Sequence, residues 1–422
     1  MLNDPEFAFR ENVLFCDGVS LEEVAAQCGT PTYVYSRRAI ENRYLAYDQS
    51  LQGVPHRICY AVKANSNVAV LQILARLGAC FDIVSGGELY RVIAAGAQAE
   101  RVVFSGVGKT ESEIRYAFEQ GIHSFNCESE SELELISEIG AALGKQASVA
   151  FRVNPHVSAV THPYISTGLR DHKFGIDVSE AEVLYARAMR LPGVVPDGLS
   201  CHIGSQLLDV DPVIEAAGKV LSLVERLRAA GVPIRHVDLG GGLGIPYRTG
   251  EEAVEIPDLT KRLASLCAPH KILLMLEPGR SIVGEAGVLL TRVLFVKHNG
   301  AKTFVVVDAG MNDLIRPSLY QAHHEITPVR KQCARQTMIA DVVGPVCETG
   351  DFFARGRELP AVSAGDLIAI RTAGAYGFVL SSNYNSRPRA CEAVIDGSLI
   401  HIARQRETWS DLIRGENLLP PS

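Results

Sequence analysis

The chain has 422 residues, 47% of them hydrophobic and 21% charged, with a formal net charge of −7. That length exceeds what one growing core supports, so two domains or a barrel with an appended domain are expected. No apolar run approaches the ~20 residues that cross a bilayer, and an acidic balance without a Lys/Arg cluster speaks against phosphate backbones, so neither membrane nor nucleic acid is an expected partner.

The opening residues have no basic start followed by a long apolar stretch, which predicts a cytoplasmic protein. Ten cysteines are scattered without CxxC or Cys/His ligand spacing. That is the pattern of free, mostly buried thiols, so no metal and no disulfide framework are predicted.

In chain order, Val13–Cys16 reads as a short strand followed by a small helix, too little for a core of its own. Eight apolar, β-branched runs then alternate with helical patterns: Arg57–Val62, Ala79–Val84, Arg101–Ser105, Ile122–Asn126, Ser148–Val153, Gly198–Ile203, Ile234–Leu239 and Ile272–Leu276. Ser129 to Glu132 open one helix running towards Gly140, and Gly231 closes another. Eight such units favour an α/β fold with a closed (β/α)8, TIM-like barrel, an open doubly wound sheet being the alternative. The longest insertion, around His162 to Gly168, reads as a loop over the barrel mouth. After about Gly284 the segments Val288–Val296, Thr303–Val307, Thr337–Val342 and Asp366–Ile370 alternate as strands do. The expected domains are therefore a barrel over 33–284 and a discontinuous β-rich domain from 1–32 and 285–422.

A barrel of this kind builds its site from the C-terminal ends of its strands. Lys63 follows the first run. Asp82, Ser85 and Glu88 end the second, Arg152 and Asn154 the fifth, and His202 and Ser205 the sixth. Gly240, Gly241 and Gly242 follow the seventh, and Glu277, Gly279 and Arg280 the eighth. Each has an ordinary alternative: a solvated lysine, an interior histidine, a flexible turn, an ion pair between Glu277 and Arg280. Together they match pyridoxal 5′-phosphate, with Lys63 for the aldehyde, glycine amides at a strand-to-helix junction for the phosphate, and Glu277 for the ring nitrogen. A carboxylate there favours the protonated ring, a strong electron sink suited to loss of carbon dioxide.

With these residues assembled, the chain resembles the diaminopimelate decarboxylase family, within the alanine-racemase-like class of pyridoxal-phosphate enzymes, over nearly its full length. The motifs are Tyr60-Ala-Val-Lys63-Ala-Asn65, His202-Ile-Gly-Ser205-Gln206, Asp238-Leu-Gly-Gly-Gly-Leu243 and Glu277-Pro-Gly-Arg280. The resemblance implies that Lys63 forms the Schiff base, His202 covers one ring face, Ser205, Gly241, Gly242 and Gly279 hold the phosphate, and Glu277 meets the ring nitrogen. Asp82, Arg152, Gly240, Arg280 and Tyr376 complete the expected cofactor site. In the later segments, Met311 to Tyr320, Gly344 to Asp351 and Gly374 to Gly377 are similar to those lining the family's substrate site. Cys347 and Glu348 would come from the second protomer of a homodimer with shared sites, Cys347 being either a proton donor or an ordinary buried thiol.

The implied reaction converts meso-2,6-diaminopimelate to L-lysine and carbon dioxide. Arg280 and Arg316 suit the carboxylate of the unreacted end, with Tyr320 and Tyr376 beside it and Glu348 for its ammonium. Two arginines would repel the distal ammonium of a plain diamine precursor. Thr161 to Gly168 and Lys173 to Ile176 resemble the segment that selects the D-centre. The rivals are a decarboxylase of D-lysine or D-ornithine, a racemase, which usually has an arginine at the ring nitrogen, and a non-catalytic pyridoxal-phosphate-binding protein.

Overall fold

The computed structural model describes residues 6–157, 173–331 and 336–421, and separates the chain into two compact units. The first comprises residues 40–245 and 252–282; the second comprises 1–39, 246–251 and 283–422.

The first unit is a closed eight-stranded parallel barrel. Its strands are His56–Ala61, Cys80–Ile83, Val102–Phe104, Ser124–Cys127, Ala147–Asn154, Val194–Ser200, His236–Asp238 and Leu273–Leu276. Closure comes from the eighth strand pairing with the first, Leu274 opposite His56 and Leu276 opposite Ile58. The strands are buried almost throughout, as expected of a parallel sheet covered by helices, and stacked Phe104 and Phe125 rings, 5.9 Å between centroids, help fill the third and fourth strands' surroundings.

Connecting helices start where local chemistry satisfies their first amides. Ser129 accepts from the Glu132 amide to open Glu130–Ala142, and Thr110 and Glu113 form a capping box before Glu111–Gln120. The glycine run differs from the expectation. Residues 240–242 are not followed directly by a helix: the next one is Ile256–Cys267, and Leu243 instead bridges Leu207. Its bare amides are arranged by loop backbone rather than by a helix N-terminus.

The second unit is β-rich. The long strand Gly287–Asn299 organises it, pairing antiparallel with Lys302–Val307, Leu367–Ile370 and Thr32–Ser36. Thr337–Val343 and Phe352–Pro360 extend one side, and the hairpin Cys391–Asp396 with Leu399–Arg404 extends the other. Phe7–Arg10, Val13–Cys16 and Val19–Ser20 form a small sheet leading into the helix Leu21–Cys28. Leu14, Val24, Val34, Val288, Leu290 and Ile395 share one core there.

Candidate active site

Strand ends bring charged groups together at the C-terminal rim of the barrel. Lys63 lies in a single 3-10 turn, Val62–Ala64, after the first strand, and its Nζ is 2.5 Å from Asp82 Oδ2 at the end of the second. The Asp82 side chain is fully buried, whereas that of Lys63 is 40% exposed, so the amine reaches out of the buried acid towards the open side. The other Asp82 oxygen, Oδ1, is buried with no hydrogen-bond partner. Glu88, after Ser85 has capped the following helix, accepts from the Val84 amide, and burial pushes its carboxyl up to about 7.

Glu277 follows the eighth strand. Its Oε1 accepts from Ser105 Oγ at 3.3 Å and Asn126 Nδ2 at 3.4 Å. Asn126 Nδ2 also lies 3.2 Å from Asp238 Oδ2, whose partner oxygen accepts from the Gly240 amide at 2.9 Å. Burial drives the Glu277 carboxyl well above the ordinary range, and the neighbouring charges of Asp238 and Asp82 add to it while Lys63 opposes. Burial raises Asp238 as well. Three buried carboxyl groups thus cluster together with one ammonium, Lys63 contacting Asp82 and opposing the rise at Glu277, an arrangement that a further cation would stabilise.

His202 lies two residues past the end of the sixth strand, with Nδ1 accepting from the Gly241 amide at 3.4 Å. Burial, then Arg152 and Lys63, hold its pKa well below the usual value, so the ring is neutral. Arg152 donates to Glu128 Oε1 at 3.2 Å, and its guanidinium stands 4.8 Å from the Phe174 ring centroid. Glu128 Oε2 accepts from the Gly175 amide and Asn154 Nδ2 donates to the Phe174 carbonyl, fastening residues 174–175 to the fourth and fifth strands. The expected loop over Thr161 to Gly168 lies outside the described residues.

The glycine loop is tied to Glu277 by its backbone: the Glu277 amide donates to the Gly240 carbonyl at 2.7 Å. A Cβ on Gly241 would sit 2.2 Å from the Glu277 carbonyl oxygen, and Gly242 has a φ of +102°, so both close approach and backbone conformation demand glycine. Arg280 Nη2 donates to Ser205 Oγ at 3.1 Å. Gly279 packs against Ala61 and Ala64, immediately before the short helix Arg280–Val283. An amine beside a buried acid, clustered glycine amides and an acidic group poised for a cation fit pyridoxal phosphate.

In the β-rich unit, Arg316 and Tyr320 are the ends of one short helix, Arg316–Tyr320. Tyr376 has a φ of +55° in the turn after Arg371. Cys347 and Glu348 are exposed on a loop whose backbone is pinned by Asp351, which accepts from the Met311 and Val346 amides at 2.6 Å each. Asn385 Oδ1 accepts from the Cys347 amide, and the Tyr384 hydroxyl lies 3.4 Å from Glu348. Cys347 is thus not an ordinary buried thiol. Among the described cysteines, all of them free, seven are buried.

The sequence reading placed no residue on the ends of the third and fourth strands. Ser105, Asn126 and Glu128 occupy them, and their position just past an apolar run is the signal that could have found them. Asp238, seen only as part of a motif, faces Glu277 directly.

Fold and rim together define a pyridoxal-dependent decarboxylase. Residues 37–284 match the family described as "Pyridoxal-dependent decarboxylase, pyridoxal binding domain". The diaminopimelate decarboxylase of Pseudomonas aeruginosa is 54% identical over 98% of this chain and 99% of its own, and that of Vibrio cholerae is 51% identical over 96% and 97%. A crystal structure of diaminopimelate decarboxylase from M. jannaschii in complex with L-lysine superposes with a TM-score of 0.94 at 39% identity, covering 100% of this chain and 99% of that one. The chain belongs to the diaminopimelate decarboxylase family. Among the described residues, no helix is long and apolar enough to cross a membrane.

Proposed function

We propose that the chain decarboxylates meso-2,6-diaminopimelate at its D-centre to give L-lysine and carbon dioxide, as a cytoplasmic homodimer. The observation that carries this reading is the gathering of Lys63, Asp82, Asp238 and Glu277 on one barrel rim beside the glycine loop. Pyridoxal phosphate, once bound, supplies the electron sink for the departing carboxyl group.

Lys63 holds the aldehyde end, and the acid beside it keeps the amine at the rim. Glu277 would meet the ring nitrogen, where opposite charge would return its carboxyl to the ionised form and favour the protonated ring. Asn126 and Ser105 fix the direction of that carboxyl, and Asp238 buttresses it. His202, a flat neutral ring, would cover one face. Ser205 and the amides of Gly241, Gly242 and Gly279 would hold the phosphate, the Gly240 amide being engaged by Asp238, with Arg152, Arg280 and Tyr376 in the cofactor site. Arg280, Arg316, Tyr320 and Tyr376 take the distal carboxylate; Glu348 takes the distal ammonium and Cys347 gives the final proton, both from the second protomer. Remote contacts of this kind orient the breaking bond.

The test incubates purified protein with pyridoxal phosphate and meso-diaminopimelate and measures lysine and carbon dioxide. Both are expected, and a cofactor-loaded protein releasing neither would reject the reading. Arg316→Ala should lower kcat/KM for diaminopimelate by about 10- to 100-fold, the size of a lost charged hydrogen bond.

A further inference from the structure

Arg316 is only 6% exposed, and two neighbours with no role so far restrain it. Its guanidinium carbon stands 4.5 Å from the centroid of the Tyr247 ring, a cation–π distance. Its Nη1 lies 2.9 Å from His324 Nε2. A guanidinium has no acceptor, so Nη1 donates and Nε2 accepts. The other imidazole nitrogen, Nδ1, lies 2.8 Å from the Arg371 carbonyl oxygen. A carbonyl cannot donate, so Nδ1 carries the hydrogen.

Both roles are forced, and together they leave one tautomer of a neutral ring. His324 is completely buried, and the Tyr247 ring meets it edge-on at 5.3 Å. Its surroundings favour that neutral state. Arg316 faces it from the short helix, and Arg357 donates to its own carbonyl at 3.0 Å and to His323 Nδ1 at 3.0 Å. Glu325 stands 4.0 Å from Arg357 and 3.5 Å from His323. A second proton on His324 would set N–H against N–H at Arg316.

We propose that His324, through its Nε2 lone pair, and Tyr247, through its ring face, are positioning residues that set the plane of Arg316 for an α-amino carboxylate terminus. This rests on the proposed function, in which Arg316 receives the unreacted end of the substrate. A two-pronged guanidinium–carboxylate contact depends on orientation as well as charge, and a long side chain held from one side only would lose it. His324 thereby makes the site selective for a ligand end bearing a carboxylate.

The test measures, by calorimetry on the cofactor-loaded protein, the affinity of L-lysine and of pentane-1,5-diamine, which is lysine without the carboxylate. His324→Met keeps volume but removes the acceptor. It should weaken L-lysine about 10- to 100-fold and the diamine by no more than about threefold, and should raise KM for meso-diaminopimelate by more than it lowers kcat. His324→Gln, whose amide oxygen can stand where Nε2 stood, should restore most of the lysine affinity. If His324→Met does not fold, Tyr247→Leu carries the test, with a loss of about threefold or more expected for lysine alone. Unchanged lysine affinity, or equal loss for both ligands without rescue by Gln, would overturn the proposal. A wild-type protein that does not decarboxylate diaminopimelate would instead sink the functional reading itself.

Discussion

The barrel carries polar clusters at both ends of its interior, and they are opposites. At the C-terminal rim, Asp82, Asp238 and Glu277 cluster with one lysine, Lys63, beside Asp82, and burial pushes Glu277 towards its neutral form. Near the starts of the strands, Arg57 accompanies His123 and His236, whose rings are 5.6 Å apart, with Asp197 4.0 Å from His236. Burial and the Arg57 charge lower both imidazoles to about 4. The rim has an excess of acids that a cation would relieve, whereas the floor keeps its histidines uncharged. Burial alone therefore does not mark a reactive site; the sign of the missing charge does.

Three perturbations bear on that contrast. The largest effect is expected from Lys63→Ala, which should abolish both turnover and the visible absorbance of cofactor held through that amine. Turnover at the wild-type rate would mean that another lysine does the work. Glu277→Gln should come next, lowering carbon dioxide release by roughly 100-fold or more, the scale for removing one preorganised electrostatic group. Cofactor-free protein should be no less stable, and more stable at neutral pH, because Gln removes an acid whose raised carboxyl costs stability there. A large loss of stability without loss of turnover would make Glu277 structural.

The smallest effect concerns pH. His236 falls from 6.5 unfolded to about 4 folded, so the unfolded chain binds more protons between those values and stability drops as pH falls through that window. The full loss is on the order of 3 kcal/mol. Glu277 has the opposite sign: its raised carboxyl costs stability as pH rises above the usual glutamate value. Denaturant titrations of cofactor-free protein should show a shallower acid limb in His236→Asn than in wild type. Identical acid limbs would remove His236 from the floor's charge balance.

All eight barrel strands were legible because parallel strands buried on both faces read as continuous apolar runs. Most of the rim was legible where its residues are charged, or are glycines in a run, although Glu128 past the fourth strand was missed. Ser105 and Asn126 escaped because small neutral polar residues after a strand look like any turn; only the fold aims them at Glu277. His324 escaped because its tautomer depends on Arg316 and on the Arg371 carbonyl, which no spacing relates. In the β-rich unit, Phe352–Pro360 and Leu399–Arg404 went unread, since edge strands with mixed exposure carry little apolar alternation. The glycine run was expected to lead into a helix, yet the chain travels on to Ile256 before one forms.

The backbone bond from Glu277 to Gly240, with the 2.2 Å approach that any side chain at Gly241 would make to the Glu277 carbonyl oxygen, welds the seventh and eighth crossovers into a single part. Neither can drift in sequence alone without displacing the other. Anyone transplanting this chemistry to a different scaffold would have to carry both segments across together, or lose the carboxyl group's aim along with the amides.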